Sequence, residues 1–201
     1  MGITHHDSLT LGGALAVTGA MTSAVDVGAS AASLVTVAEY GDGVVHKTVI
    51  TMASMVITVA DSAGTGQYGS IKIYDMPVGV IAILGATLNS TITLVEANWT
   101  DTAEGDVAVG TIAVTNASDA MSGTEQDIIP TTAIPALTAQ VGAMDAASTA
   151  TELAAGVWDG TGGAKDVYLN VLIDDAAAHA AADTLTVTGT LTLVWINLGD
   201  M

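Results

Sequence analysis

The chain has 201 residues, and its 21 acidic side chains stand against three lysines and no arginine, for a formal net charge of −18. Nucleic-acid and anionic-lipid recognition rest on clustered Arg and Lys, so neither a direct nucleic-acid partner nor a membrane partner is expected. The absence of cysteine removes disulfides, thiolate metal sites and thiol nucleophiles.

Half of the residues are hydrophobic, yet aromatics make up only 3% and Phe is absent, so the apolar mass is Ala, Val, Ile and Leu. Small and β-branched side chains suit pleated, closely stacked sheets. The length fits one all-β unit with an additional arm.

Residues 1–30 form the arm. MGITHHDSLTLGG lacks the positive n-region of a secretory signal, and none is expected. The following Gly, Ala, Ser and Thr mixture buries too little to offset its own ordering entropy. It reads either as a flexible tail or as an extended arm that orders on a partner subunit, with Leu9, Leu11, Leu15 and Val17 along one edge as candidate interface residues.

Residues 31–201 form the second unit, an antiparallel β-sandwich. Strands are predicted over 33–38, 44–51, 53–60, 69–75, 78–85, 88–95, 107–115, 167–174 and 184–197, with turn signals such as Gly41-Asp42-Gly43 and Gly160 to Gly163 between them. Many short strands without a βαβ rhythm argue for a sandwich or barrel. Gly64-Thr-Gly66-Gln-Tyr-Gly69 matches the dinucleotide fingerprint, but the β-patterned SIKIYDMP that follows offers no helix N-terminus to a phosphate, so it reads as a hairpin loop.

The stretch from Val78 to Leu84 is apolar on both faces. Val78, Val80, Ala82 and Leu84 are predicted to face the core, leaving Ile81 and Ile83 on a second apolar surface as candidate subunit-interface residues. The competing reading is a central strand covered by a loop of its own chain. The run from Met76 to Leu88 is too short for a membrane helix and holds Pro77, Gly79 and Gly85.

Further on, Thr149 and Glu152 form the pattern of a capping box for a short helix ending near Gly156. Residues 174–183 read as a loop. In TLTVTGTLTLVW, Leu185, Val187, Leu191, Leu193 and Trp195 take one face and Thr184 to Thr192 the other, with Gly189 marking a bulge or bend. His5, His6, His46 and His179 lack zinc-site spacing, and the acids at Asp101, Glu104 and Asp106 and at Asp174 and Asp175 lack the calcium-loop pattern. No catalytic residue, cofactor or metal is expected.

GQYGSIKIYDMPVGVIAILGA at 66–86 and DVYLNVLIDDAAAHAAADTLTVTGTLTLVWINLGD at 166–200 resemble segments of tailed-bacteriophage virion structural proteins, in the style of jelly-roll head decoration, or cement, proteins. The resemblance implies a jelly-roll sandwich that assembles as a homotrimer on the outer capsid surface. There it would tie subunits of the major capsid protein together, without enzymatic activity. A tail, neck or fibre component is the alternative, suggested by the repeats Val17-Thr18-Gly19 and Val187-Thr188-Gly189. A carbohydrate-binding or hydrolytic sandwich is disfavoured by the scarcity of aromatics.

Overall fold

The computed structural model describes residues 28–30, 32–41, 45–61, 67–94, 105–115, 120–134, 141–173 and 183–199. Eleven antiparallel strands run through them: β1 (Ala29–Ser30), β2 (Val35–Gly41), β3 (Val45–Asp61), β4 (Gln67–Asp75), β5 (Val80–Leu94), β6 (Gly105–Gly110), β7 (Ile129–Ile134), β8 (Val141–Ala147), β9 (Val157–Asp159), β10 (Asp166–Ile173) and β11 (Asp183–Asn197). Among the described residues one α-helix, α1 (Ala150–Ala155), sits between β8 and β9, and a 3-10 turn, Gly123–Glu125, precedes β7.

The wiring is nested. β3 pairs with β11, β4 with β10, β5 with β8 and β6 with β7, so the first long strand meets the last and the pairing closes inward. The result is two four-stranded layers, β3-β11-β5-β8 and β4-β10-β6-β7, which are called sheet one and sheet two below. This rolled-up double hairpin is the jelly-roll arrangement of an all-β sandwich.

The sandwich is nearly closed. At one seam the end of β3 crosses to β4 through Val59↔Gly69 and Asp61↔Gln67. The short strands fill the rest of that seam, β2 along β3 and β1 along β4. At the other seam the Ser148 hydroxyl donates to the Ile128 carbonyl at 2.6 Å, bringing the ends of β7 and β8 together.

Strict alternation on β11 puts Leu185, Val187, Leu191, Leu193 and Trp195 in the core, as the sequence predicts. They pack with Ile50, Met52, Met55 and Ile57 of β3 and with Ile81, Leu88 and Ile92 of β5.

Two pairs of predicted strands are each one long bulged strand. In β3 the register against β11 jumps from Met55↔Val187 to Met52↔Gly189. Ala53 and Ser54 together oppose the single residue Thr188, and this one extra residue switches the inward set from even to odd numbers, Ser54 taking a left-handed backbone (φ 56°) to do it. Gly189 lies opposite because nothing larger fits: a Cβ there would stand 2.2 Å from the Asn89 carbonyl oxygen.

The second bulge corrects the assignment of Ile81 and Ile83. Trp195 pairs with Ile83 and Val194 with Gly85, so Leu84 is the extra residue of β5. The inward set is therefore Ile81 and Ile83 before the bulge and Ala86, Leu88, Ser90 and Ile92 after it. Ile81 and Ile83 are 0% and 5% exposed, whereas Val78 and Leu84, predicted for the core, are 52% and 48% exposed. The run is apolar on both faces because Ile81 and Ile83 fill the core while Ala82 and Leu84 belong to the outward face, and the bulge at Leu84 reverses which parity faces in only beyond it.

The helix is the one anticipated. Thr149 N–H donates to the Glu152 carboxylate at 2.8 Å, the Thr149 hydroxyl accepts from Thr151 N–H, and Gly156 ends the turn. The predicted strand 107–115 is shorter than expected, because beyond Gly110 the chain leaves the sheet in an excursion whose described residues are 111–115 and 120–128.

Candidate functional site

The outer faces of the two sheets differ. Sheet two is covered by its own chain, since the excursion lays Val114 and Met121 on Ala108 of β6 and Leu172 of β10, with Tyr68 alongside. Asn170 pins this cover from the outward side of β10. Its Oδ1 accepts from Ser70 Oγ at 2.7 Å and Val114 N–H at 3.0 Å, while its Nδ2 donates to the carbonyls of Ile112 at 2.9 Å and Glu125 at 2.7 Å. Fully buried and with four bonds, it is saturated.

The excursion and the adjoining strand ends carry carboxylates. Asp127 accepts from Thr111 N–H at 2.8 Å and Thr111 Oγ1 at 2.7 Å. Its acidity is weakened by burial, which outweighs both bonds. At Asp166 burial is outweighed by bonds with Asp75 and Tyr168 and by the charge of Lys72, which hold it below the usual carboxylate range. Lys72 lies 2.8 Å from Asp75 and 3.4 Å from Asp166.

Among the described residues no segment covers sheet one, and its outward residues form rows across the strands. Val45, Ile196, Ala82 and Val157 make one row, and Tyr40, Lys47, Val194 and Gly85 the next. Ala38, Val49, Thr192, Thr87 and Ala147 follow, then Thr36, Thr51, Thr190, Asn89 and Asp145. The face thus grades from aliphatic to threonine. Tyr40, Val45, Leu84 and Val157 are exposed there, a contiguous group rather than scattered single residues.

Carboxylates described on this face stand at its margin, Asp159 on β9 and Asp145 on β8, the latter bonded to Asn89. Lys47 is exposed in the second row and makes no ion pair among the described residues. Beside its cross-strand neighbour Val194 lies a hollow of about 270 Å³, lined by Gly85, Thr87, Ala147, Thr192 and Val194 among others. Gly85 opens it by having no side chain, and a Cβ there would meet nothing within 4 Å.

A buried polar cluster closes the β1–β2 seam. Glu39 Oε1 accepts from Tyr74 at 2.6 Å and from Thr48 Oγ1 at 2.8 Å, Thr48 Oγ1 accepts from Trp195 Nε1 at 2.7 Å, and Tyr74 Oη accepts from Gly28 N–H at 2.9 Å. The Tyr74 phenol is held far above its ordinary pKa by burial and by its bond to Glu39. His46 stacks on Trp195 with ring centroids 4.1 Å apart. Glu39 Oε2 is buried with no hydrogen-bond partner among the described residues.

Of the sequence-predicted site residues, Leu9, Leu11, Leu15 and Val17 lie outside the described residues, and Ile81 and Ile83 are in the core. The acids at 101, 104, 174 and 175 and the histidines at 5, 6 and 179 also lie outside them. The exposed face of sheet one was legible in one signal. Along β11 the outward series Thr188, Thr190, Thr192 changes to Val194 and Ile196, so its water-facing positions turn apolar at one end.

Among the described residues no group of three or more His, Asp or Glu is placed to hold a metal ion. No helix among them is long and apolar enough to cross a membrane. Compared with protein-family models, with curated proteins and with solved structures, the chain matches none. Fold and surface together define its class: an all-β jelly roll with one face covered by its own acidic excursion and the other open and apolar.

Proposed function

We propose that this protein is a non-enzymatic structural subunit of a tailed-phage virion, a decoration or cement protein that sits on the outer capsid surface as a homotrimer and ties subunits of the major capsid protein together. The observation that carries the reading is the opposed character of the two faces. A subunit that must hold unlike neighbours needs two unlike surfaces, and here a carboxylate-bearing side suits a basic shell while an apolar side suits packing between proteins. The mechanism is mechanical. Weak contacts held in one assembly act together through effective concentration and raise the free energy of shell opening.

The jelly roll itself hosts many functions and adds only that a rigid, close-packed subunit is available. The alternative of a tail, neck or fibre component rests on two Val-Thr-Gly repeats. Val187-Thr188-Gly189 lies in the middle of β11, where Gly189 serves the bulge, and the other repeat lies outside the described residues.

The test is cryo-electron microscopy of the particle that carries this chain, at a resolution that traces strands. Jelly-roll density on the outer shell over threefold or quasi-threefold positions is the expected outcome. Density confined to neck or tail would replace the cement reading with the fibre reading, and absence from every particle would overturn both.

A further inference from the structure

We infer that the open face of sheet one, centred on Lys47, is the surface by which one copy of this chain grips the next, in a head-to-tail contact that closes into a ring. This deepens the proposed function by naming the self-association surface, and it rests on that reading only for the expected ring size.

Charge selects the occupant. In a chain of net charge −18, two copies repel wherever carboxylates meet, and the first three rows of this face hold no described carboxylate. A basic partner would instead seek the carboxylate-bearing side. Five strands at ~4.8 Å and the four outward rows at ~6.8 Å cover roughly 650 Å², somewhat below the ~800 Å² that each partner contributes to a standard interface.

Lys47 selects the geometry. Among the described residues it makes no ion pair, whereas Lys72 contacts Asp75 and Asp166, and the charge of Lys165 is felt by Asp127 and Asp159. Around Lys47 lie Tyr40, Val45, Val49 and Val194, and the hollow beside Val194 has room for an apolar side chain. A two-fold contact of this face with itself would bury two lysines without a counter-charge, which is strongly unfavourable. A head-to-tail contact gives each Lys47 a carboxylate from the next copy, and Asp145 or Asp159 at the margin of its sheet one can supply it while the side assigned to the shell stays free. Repeating it around a rotation axis makes a ring.

Sedimentation of the full chain across a dilution series, together with a footprint of the three lysines by an amine-acetylating reagent, tests this. The wild type should sediment as a closed oligomer, a trimer on the proposed reading, and dissociate on dilution. Acetylation of Lys47 relative to Lys165 should fall as concentration rises. Lys47→Glu should weaken association about tenfold or more, and Val45→Ser/Leu84→Ser, at two exposed positions, should weaken it while leaving the circular dichroism spectrum unchanged.

A wild type that stays monomeric and folded at every concentration would overturn the inference. So would an oligomer whose Lys47 labelling is independent of concentration, variants that associate like wild type, or a discrete two-fold dimer. The two readings fail separately. A monomer found on capsids would remove this contact and leave the capsid role, whereas a Lys47-dependent oligomer absent from every particle would do the reverse.

Discussion

Thr48 shows what a single hydroxyl does where the sandwich closes. It donates to Glu39 and accepts from the indole of Trp195, and all three residues are buried. Thr48→Val keeps the shape, so the loss is not a cavity but an indole N–H without an acceptor and a carboxylate with one donor fewer. Leaving such groups unpaired costs about 2–4 kcal/mol in total. Thr192→Val, on the outer face of β11, should move stability by no more than about 0.5 kcal/mol. Urea unfolding midpoints of the two variants decide the matter: equal shifts would mean that the hydroxyl at 48 holds nothing in place. Ser54 gives a second residue-level expectation. Valine is favoured at ordinary strand positions, yet Ser54→Val should lower stability by roughly 1–2 kcal/mol because a β-branched side chain resists a left-handed backbone. A neutral or stabilising result in the same assay would show that the bulge relaxes to an ordinary strand.

At the scale of elements, parity decided what could be read beforehand. β11 was legible because thirteen ladder partners on β3 and an unbroken alternation keep one set of side chains inward along its length. The helix was legible because capping at Thr149 and Glu152 is a local event. β5 was misread where Leu84 is inserted, since a bulge is fixed by the register of a neighbour a hundred residues away and leaves no mark in the strand that carries it. The excursion after Gly110 was missed for a related reason: its anchor, Asn170, is one polar residue in an apolar strand, and only the fold shows what it reaches. That cover makes its own pH prediction. Burial raises the pKa of Asp127 above its unfolded value, so between the two values the folded state binds the additional proton. Stability from this residue therefore rises as pH falls through the folded pKa and is lost as pH rises through it. Asp127→Asn should remove that component, so the melting temperature of wild type minus that of the variant should increase on going from about pH 7 to about pH 4. A difference that stays flat over the range would mean that Asp127 titrates alike in the folded and unfolded chain.

For the whole molecule the governing quantity is the surplus of carboxylates. The two ion pairs found among the described residues both use Lys72, at the surface, where solvent and the entropy of two long side chains leave such pairs little net stabilisation. Against them stands the mutual repulsion of 21 acids with three lysines, which acts on the compact state more than on the expanded one. Salt screens both, but the Debye length is about 10 Å at 0.1 M and about 3 Å at 1 M, so the long-range repulsion is weakened more completely than a contact at 2.8 Å. Repulsion wins the comparison, and the melting temperature should therefore rise with sodium chloride. Self-association through the Lys47 face should strengthen over the same range, because one ion pair per contact is lost while the repulsion between whole subunits is relieved. Calorimetry and sedimentation across a salt series measure the two effects separately. A melting temperature that falls with salt would mean that paired rather than surplus charge dominates the fold. Association that weakens with salt while the fold gains stability would place the Lys47 ion pair, rather than the apolar rows around it, as the main source of affinity between copies.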